Sequence, residues 1–297
     1  MLSHQTSAEA ELSRVVVLGA TGFIASQLVQ SLRSSQIPCR PVGSAEVDLV
    51  RCDAAQKLRQ IVQPTDSIVV LSALTPEKGR DRATFLKNVS MIDNLCAVVA
   101  DTPCSHIVYI SSDSVYDGRV SEIDEQCCCE SNDMYALSHI VREKLLADAC
   151  QSTKVDLAII RPSAVYGAGD THNSYGPNRF MRTALAEGKI TLFGQGEEER
   201  DHLYIGDLCK LIQLCLLHRS SGVLNAVSGT TLSFREVARR ITDAIGREVV
   251  LETAPRRMPI VHRRFNTSAI KMAFPHFFST PFHAGVKAAL AELIGNS

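Results

Sequence analysis

Short apolar runs alternate along this chain with longer stretches whose apolar residues recur every three or four positions. In the first half, near-continuous apolar runs at 15–18, 37–42, 67–71, 106–111 and 155–161 predict buried strands. Between them, 23–34, 54–62, 83–99 and 135–150 read as helices. Phe85, Leu86, Val89, Ile92, Leu95, Cys96 and Val99 fall on helical spacing, as do Leu137, Ile140, Val141, Leu145 and Leu146. Strand–helix alternation of this kind predicts an α/β chain with a doubly wound, Rossmann-type parallel sheet covered on both faces.

After Pro162 the texture changes. Gly167, Gly169, Gly176 and Pro177 break up a loop, followed by a helix at 178–187 and a short strand at 190–193. An apolar helix at 204–218, a strand at 224–227 and a helix at 233–245 come next. Ser233 would N-cap the last of these, with Glu236 completing a capping box. The prediction is a nucleotide-binding domain over 14–165, with 203–219 returning to it. A smaller substrate-binding domain would form from 166–202 and 220–297. The polar residues 1–13 are expected as a disordered tail. No internal repeat is visible.

Composition narrows the partners. The 297 residues are 45% hydrophobic and 21% charged, an ordinary globular balance. With 31 basic and 32 acidic residues, the net charge of -1 offers no field to draw nucleic acid or an anionic membrane. No apolar run approaches the roughly 20 residues of a membrane helix. The N-terminus lacks the apolar core of a signal peptide. Neither nucleic acid nor membrane is therefore expected as a partner. The ten cysteines include the run Cys127-Cys128-Cys129 but no Cys-x-x-Cys pair, so no metal is expected. Scattered thiols in apolar stretches fit a reduced, cytoplasmic protein. His106, His172 and His202 lack metal-ligand spacing and read as structural.

Candidate chemistry begins where the strand at 15–18 runs into Gly19-Ala20-Thr21-Gly22-Phe23-Ile24-Ala25. Gly19 permits a sharp turn and Gly22 a close backbone approach to a pyrophosphate, while the small Ala25 lets the helix pack. The helix from Phe23 offers free N–H groups and the positive end of its dipole. An acid at the tip of the second strand would bind a ribose diol. That strand instead ends Val42-Gly43-Ser44, with Arg40 nearby and Glu46 soon after. Arg40 and Ser44 lean toward a 2′-phosphate, hence NADP in preference to NAD. Arg40 as a solvated surface cation stays open as the alternative. Downstream, Ser111, Ser112 and Tyr135 supply hydroxyls and a phenol that could move a proton at a carbon bearing oxygen.

In their order along 14–268 these motifs resemble the extended short-chain dehydrogenase/reductases of the NAD-dependent epimerase/dehydratase family, whose members mostly act on nucleotide sugars. The resemblance implies Asp48 and Leu49 near adenine. It puts Ser72, Ala73 and Leu74 over the nicotinamide ribose, with Asn88 in the following helix. Ser111 and Ser112 match a strand-end motif whose second hydroxyl meets the substrate keto group. Pro162 and Val165 belong to the next strand-end signature, Arg161-Pro162-x-x-Val165-Tyr166-Gly167. Asn178 and Arg200 would meet the substrate, the arginine at its diphosphate, with Arg256 as a second phosphate contact. For Arg200 a salt bridge within 197–199 is the competing reading; for Arg256, Arg257 and the basic residues after them it is a solvated loop.

The resemblance also makes Tyr135 the acid/base, with Ser112 on the reacting oxygen. In the family a lysine one helical turn on supplies positive charge and holds the nicotinamide ribose. Here that position is His139. It shares the helical face, but an ordinary pKa of about 6.5 leaves it mostly neutral at pH 7. Arg142 shares the Tyr135 face but lies about two turns up, roughly 10 Å along the axis; Lys144 points elsewhere and cannot reach. Three outcomes stay open: a reductase that tolerates the change, a His139 protonated by a nearby carboxylate, or a catalytically weak site. Asp113 keeps the first acid of the pair that family dehydratases use, and Ser114 replaces the second, which argues against 4,6-dehydration. A loop-capping Asp113 is the other reading.

The implied function is reduction of a 4-keto nucleotide sugar. C4 epimerisation, a non-catalytic NAD(P)H sensor and a reductase of a non-sugar substrate are the alternatives. The resemblance further implies a homodimer in which 83–99 and 135–150 of each copy form a four-helix bundle.

Overall fold

A computed structural model describes residues 2–120, 122–170, 172–256 and 259–295, so Arg257 lies outside the described residues. The strands are β1 (Ser3–His4), β2 (Arg14–Leu18), β3 (Cys39–Val42), β4 (Asp66–Val70), β5 (His106–Ile110), β6 (Glu122–Ile123), β7 (Asp156–Pro162), β8 (Ala164–Tyr166), β9 (Lys189–Phe193), β10 (Glu199–Tyr204), β11 (Ser220–Ala226), β12 (Thr231–Ser233), β13 (Val250–Ala254) and β14 (Arg264–Phe265). The helices are α1 (Phe23–Ser34), α2 (Ala54–Arg59), α3 (Arg82–Asp101), α4 (Met134–Thr153), α5 (Pro177–Glu187), α6 (Ile205–Leu217), α7 (Phe234–Ile245), α8 (Ser268–Ala273) and α9 (Phe282–Gly295).

Seven strands form the main sheet in the order β1-β11-β7-β5-β4-β2-β3. All neighbours are parallel except β1, which pairs antiparallel with β11. Val15, Val16, Val17 and Leu18 are fully buried, as a strand covered on both faces requires. Leu28, Leu32, Leu208 and Ile212, from α1 and α6, pack one face; Leu58, Ile92, Leu95 and Leu146, from α2, α3 and α4, pack the other. The chain leaves β2 for β3 on one side, then crosses to β4 on the other. That reversal opens a crevice beyond the carboxyl ends of β2 and β4, where open α/β sheets bind ligands.

Two sequence expectations fail here. The N-terminal stretch is not a disordered tail. Ser3 and His4 extend the sheet along Ser221 and Ser220, and His4 places its ring nitrogens 2.8 Å from Ser220 Oγ and 2.8 Å from the Ala273 carbonyl. The polar composition concealed these side-chain and edge-strand bonds. The second correction concerns 220–226, assigned to the smaller domain. It forms β11 of the main sheet, beside β7, because Leu224 and Ala226 fill the same core as α6.

The other elements pack round a separate core. Phe180, Met181, Phe234, Val237, Ile241 and Val286 bring α5, α7 and α9 against the β9–β13 and β8–β10–β12 sheets. Ser233 caps α7 and Glu236 closes the capping box, as predicted. Among the described residues, no helix is long and apolar enough to cross a membrane.

Candidate active site

The crevice at the sheet reversal is a cleft of about 380 Å³. Its floor starts at the β2–α1 turn. Gly19 has φ +85°, and a Cβ there would lie 2.7 Å from the Ser72 backbone nitrogen. A side chain at Gly19 would thus push apart the two loops that meet at the crevice. Gly22 caps α1 without a side-chain bond, and the first turn carries no acid, so its N–H groups stay open to an anion. Gly22, Phe23 and Ile24 line the cleft, and Thr21 lies one residue outside that lining. The turn and the open helix end fit a dinucleotide pyrophosphate.

The loop after β4 is held from below. Buried Asn88, on α3, accepts from the Leu74 N–H at 2.7 Å and donates to the Leu74 carbonyl at 3.0 Å. Ala73 lines the cleft, while the buried Ser72 hydroxyl has no hydrogen-bond partner among the described residues. At the far edge, Asp48 accepts from Val50 N–H in its own turn, and Leu49 is buried. Ser44 is exposed nearby, and Arg40 is ion-paired with Glu46.

Three strand and helix ends bring the hydroxyl groups together. Ser111 closes β5 and donates to Glu143 at 2.6 Å; Glu143 in turn holds Arg161, at 2.6 and 3.0 Å, so β5, α4 and β7 are locked together. Ser112 accepts from Ser114 N–H at 3.1 Å and so caps the short turn Asp113–Val115. Asp133 caps α4 by accepting from the Tyr135 and Ala136 N–H groups, which sets Tyr135 at the helix start. The Ser112 hydroxyl reaches the Tyr135 phenol. Burial pushes that phenol up to about 12, while Arg142 and Ser112 favour its ionised form and Asp113 and Glu77 oppose it.

His139 stands one turn below Tyr135, 2% exposed, its ring edge-on at a centroid distance of 4.7 Å. Its Nδ1 lies 2.6 Å from the Tyr109 hydroxyl, and its Nε2 has no partner among the described residues. Burial, then the Arg142 charge, hold its pKa well below the ordinary value. Of the three outcomes left open, protonation of His139 by a carboxylate is the one this surrounding disfavours: the charge acting on the ring is the Arg142 guanidinium, and both it and burial oppose the imidazolium. Burial raises the Asp113 carboxyl at the cleft wall, against Arg263 and Arg200.

The opposite wall comes from beyond β7. Pro162, Val165 and Asn178 line it, and Asn178 accepts from Gly167 N–H at 2.9 Å. Arg200 and Arg256 are not among the lining residues. Arg200 Nη2 lies 2.5 Å from Glu198, and Arg256 bridges Glu198 at 2.8 Å and Glu197 at 3.3 Å. The glutamates beside Arg200 in sequence hold both arginines, so the salt-bridge reading describes this geometry.

Sequence reasoning missed the mouth of the cleft. His172 Nδ1 lies 3.2 Å from Thr75 Oγ1 and 3.3 Å from Glu77, while Ser174 donates to Glu77 at 2.9 Å. All four residues line the cleft. They come from loops 97 residues apart, and no local pattern ties one to the other. Among the described residues, no cluster of His, Cys, Asp and Glu could hold a metal ion.

Known proteins share this layout. An uncharacterized UDP-glucose epimerase of Bacillus subtilis is 25% identical, covering 80% of this chain and 84% of its own. A 2-alkyl-3-oxoalkanoate reductase of Shewanella oneidensis is 24% identical, covering 96% of this chain and 87% of its own. The crystal structure of a GDP-L-fucose synthetase from Naegleria fowleri superposes with a TM-score of 0.88 at 19% identity, covering 99% of this chain and 97% of that one. Residues 15–227, from within β2 to just past β11, match the NAD dependent epimerase/dehydratase family, and the chain belongs to it.

Proposed function

We propose that the protein is an NAD(P)-dependent enzyme acting on a nucleotide-linked sugar, with reduction of a 4-keto sugar as its leading reaction. One observation carries this reading: the open N-terminus of α1, the Ser112 hydroxyl and the Tyr135 phenol face a single cleft. When bound, a nicotinamide cofactor supplies or accepts the hydride. The chain's residues do the rest. Gly19 and Gly22 let the backbone and the α1 N–H groups hold a pyrophosphate, and Asn88 fixes the loop at Ala73 and Leu74 beside the ribose. Ser112 hydrogen-bonds the reacting oxygen. Tyr135 gives that oxygen a proton in reduction and takes one in oxidation. C4 epimerisation uses the same residues in both directions.

NADP(H) is the preferred cofactor, through Arg40 and Ser44 at the end of β3. Glu46 already pairs with Arg40, so a 2′-phosphate must draw the guanidinium away from it. The same reading carries a homodimer through α3 and α4, where Leu86 and Met134 are exposed. Light scattering after size exclusion tests it: a monomer mass rejects the bundle.

A second reading, reduction of a non-sugar carbonyl compound, is favoured by Glu198. It neutralises both arginines that would meet a diphosphate, and one relative is an oxoalkanoate reductase. Thermal shift separates the two. A ligand at a hundred times its Kd stabilises by about 2.7 kcal/mol. A shift with NADP(H) or NAD(H), and a further shift with one UDP-, GDP-, CDP- or dTDP-sugar, supports the sugar reading. A cofactor shift with no response to any nucleotide sugar removes it.

A further inference from the structure

Arg142 meets neither water nor, among the described residues, a carboxylate. Its residue is entirely buried in α4, and among the described residues it makes no ion pair. The adjacent Glu143 is taken by Arg161 and Ser111. Arg142 Nη2 donates to the Ser72 carbonyl at 2.5 Å, its guanidinium carbon lies 5.2 Å from the centre of the Tyr109 ring, and Nε and Nη1 have no partner among the described residues. An unpaired buried guanidinium is costly, and such costs concentrate where the charge has a use.

The contacts lead from Arg142 to Tyr135. Tyr109 carries the guanidinium on its ring and touches His139 with its hydroxyl at 2.6 Å; His139 meets the Tyr135 ring at 4.7 Å. Side chains on a helix lean toward its N-terminus, which directs Arg142 back along α4 in the direction of Tyr135. The Tyr109 hydroxyl has one hydrogen to give. Ser111 spends its own on Glu143, and His139 Nδ1 lies 2.6 Å from the Tyr109 hydroxyl as an acceptor for it. With that hydrogen on Nδ1, His139 carries its own on Nε2, the nitrogen left without a partner.

We propose that Arg142 is a positioning residue for Tyr135: from behind the cleft it supplies the fixed positive charge that position 139 lacks, while neutral His139 serves only as an Nε2–H donor. One function pair is thereby divided between two side chains. The inference rests on Tyr135 being the acid/base. The same charge helps hold His139 neutral, so histidine and arginine here are mutually consistent. Around Tyr135, Asp113 and Glu77 oppose ionisation, and Arg142 is the cation that offsets them. At about 10 Å and an effective dielectric near 20, such a charge moves a phenol by roughly one pH unit.

The test reads ionisation directly. With 3,5-difluorotyrosine at position 135, the 19F shift is followed against pH in the otherwise unaltered chain, in Arg142→Gln, in Arg142→Lys and in His139→Lys/Arg142→Gln. The expected result is a midpoint about one unit higher in Arg142→Gln, a smaller rise in Arg142→Lys, and a return toward the starting value in the double variant. The kcat/KM profile should move with it. An unchanged midpoint in folded Arg142→Gln overturns the proposal. Where Arg142→Gln does not fold, the double variant decides: a midpoint above that of Arg142→Lys overturns the proposal, since a lysine at 139 then fails to replace the charge. A midpoint that depends on Arg142, in a protein that reduces no carbonyl, supports the electrostatic inference and rejects the enzymatic reading alone.

Discussion

The Tyr109 hydroxyl and Nδ1 of His139 sit 2.6 Å apart in a fully buried contact between β5 and α4. Burial keeps both groups neutral: the phenol is pushed above its usual range and the imidazole below. With the Tyr109 hydrogen on Nδ1, His139 is the Nε2–H tautomer. Tyr109→Phe removes the hydroxyl and strands a buried nitrogen. The expected cost is about 1–3 kcal/mol of unfolding free energy by urea titration. Cofactor affinity should fall as well, because His139 is no longer held to one donor. Unchanged stability and affinity together would show that the contact orients nothing.

Gly19 offers a sharper test of the crevice. A Cβ would meet Ser72 N at 2.7 Å and Ser72 Cα at 2.8 Å, both backbone atoms, and φ of +85° disfavours any L side chain. Gly19→Ala should destabilise by on the order of 2 kcal/mol and abolish the thermal shift with NADP(H). Gly188 also has a positive φ, +66°, but an added Cβ meets nothing within 4 Å. Gly188→Ala should therefore lose stability from backbone strain yet keep the cofactor response. Equal loss of that response in both variants would place the pyrophosphate elsewhere.

How much of this was legible depends on the reach of each interaction. Val15 to Leu18 form a continuous apolar run that only a doubly covered strand explains, and the glycine turn follows it directly; both are local patterns. The helical stripes of α3 and α4 are equally local. Edge pairing by Ser3 and His4 is not, since two polar residues carry no strand signal and their partners lie at 220 and 221. The Thr75–His172–Glu77 bridge joins loops that only the fold brings together. Arg142 was legible as a residue on the Tyr135 face, but axial distance alone hid the fact that its side chain is buried against Ser72 and Tyr109.

If NADP(H) is the cofactor as proposed, the exposed Arg40–Glu46 ion pair of the β3 segment governs its 2′-phosphate. Arg40→Ala should weaken NADP(H) about tenfold while leaving NAD(H) unchanged, a loss of about 1.4 kcal/mol. Glu46→Gln frees the guanidinium and should strengthen NADP(H) binding. Isothermal titration with both cofactors measures the ratio. If Arg40→Ala weakens both equally, the residue does not read the 2′-phosphate.

Two further histidines give the folded state an acid limit. His202 is buried among Phe234 and Phe282 with neither ring nitrogen bonded among the described residues, and its pKa is lowered to about 3 by burial and then by Arg200. His106, whose Nε2 lies 2.7 Å from the Ser220 carbonyl, is lowered to about 4, chiefly by burial. In the unfolded chain both titrate near 6.5. Below about pH 6.5 the unfolded state therefore binds protons that the folded rings refuse, and stability falls as pH drops toward 4; above about pH 7 their contribution is constant. Each ring accounts for a loss on the order of a few kcal/mol across that window. His202→Phe removes one of these sites and leaves an aromatic ring between the two phenylalanines. Its unfolding free energy should fall less steeply than that of the unaltered protein between pH 6.5 and 4, with the two curves parallel above pH 7. Urea titrations at half-unit steps decide it: parallel curves throughout would mean that His202 is protonated in the folded state or reaches water.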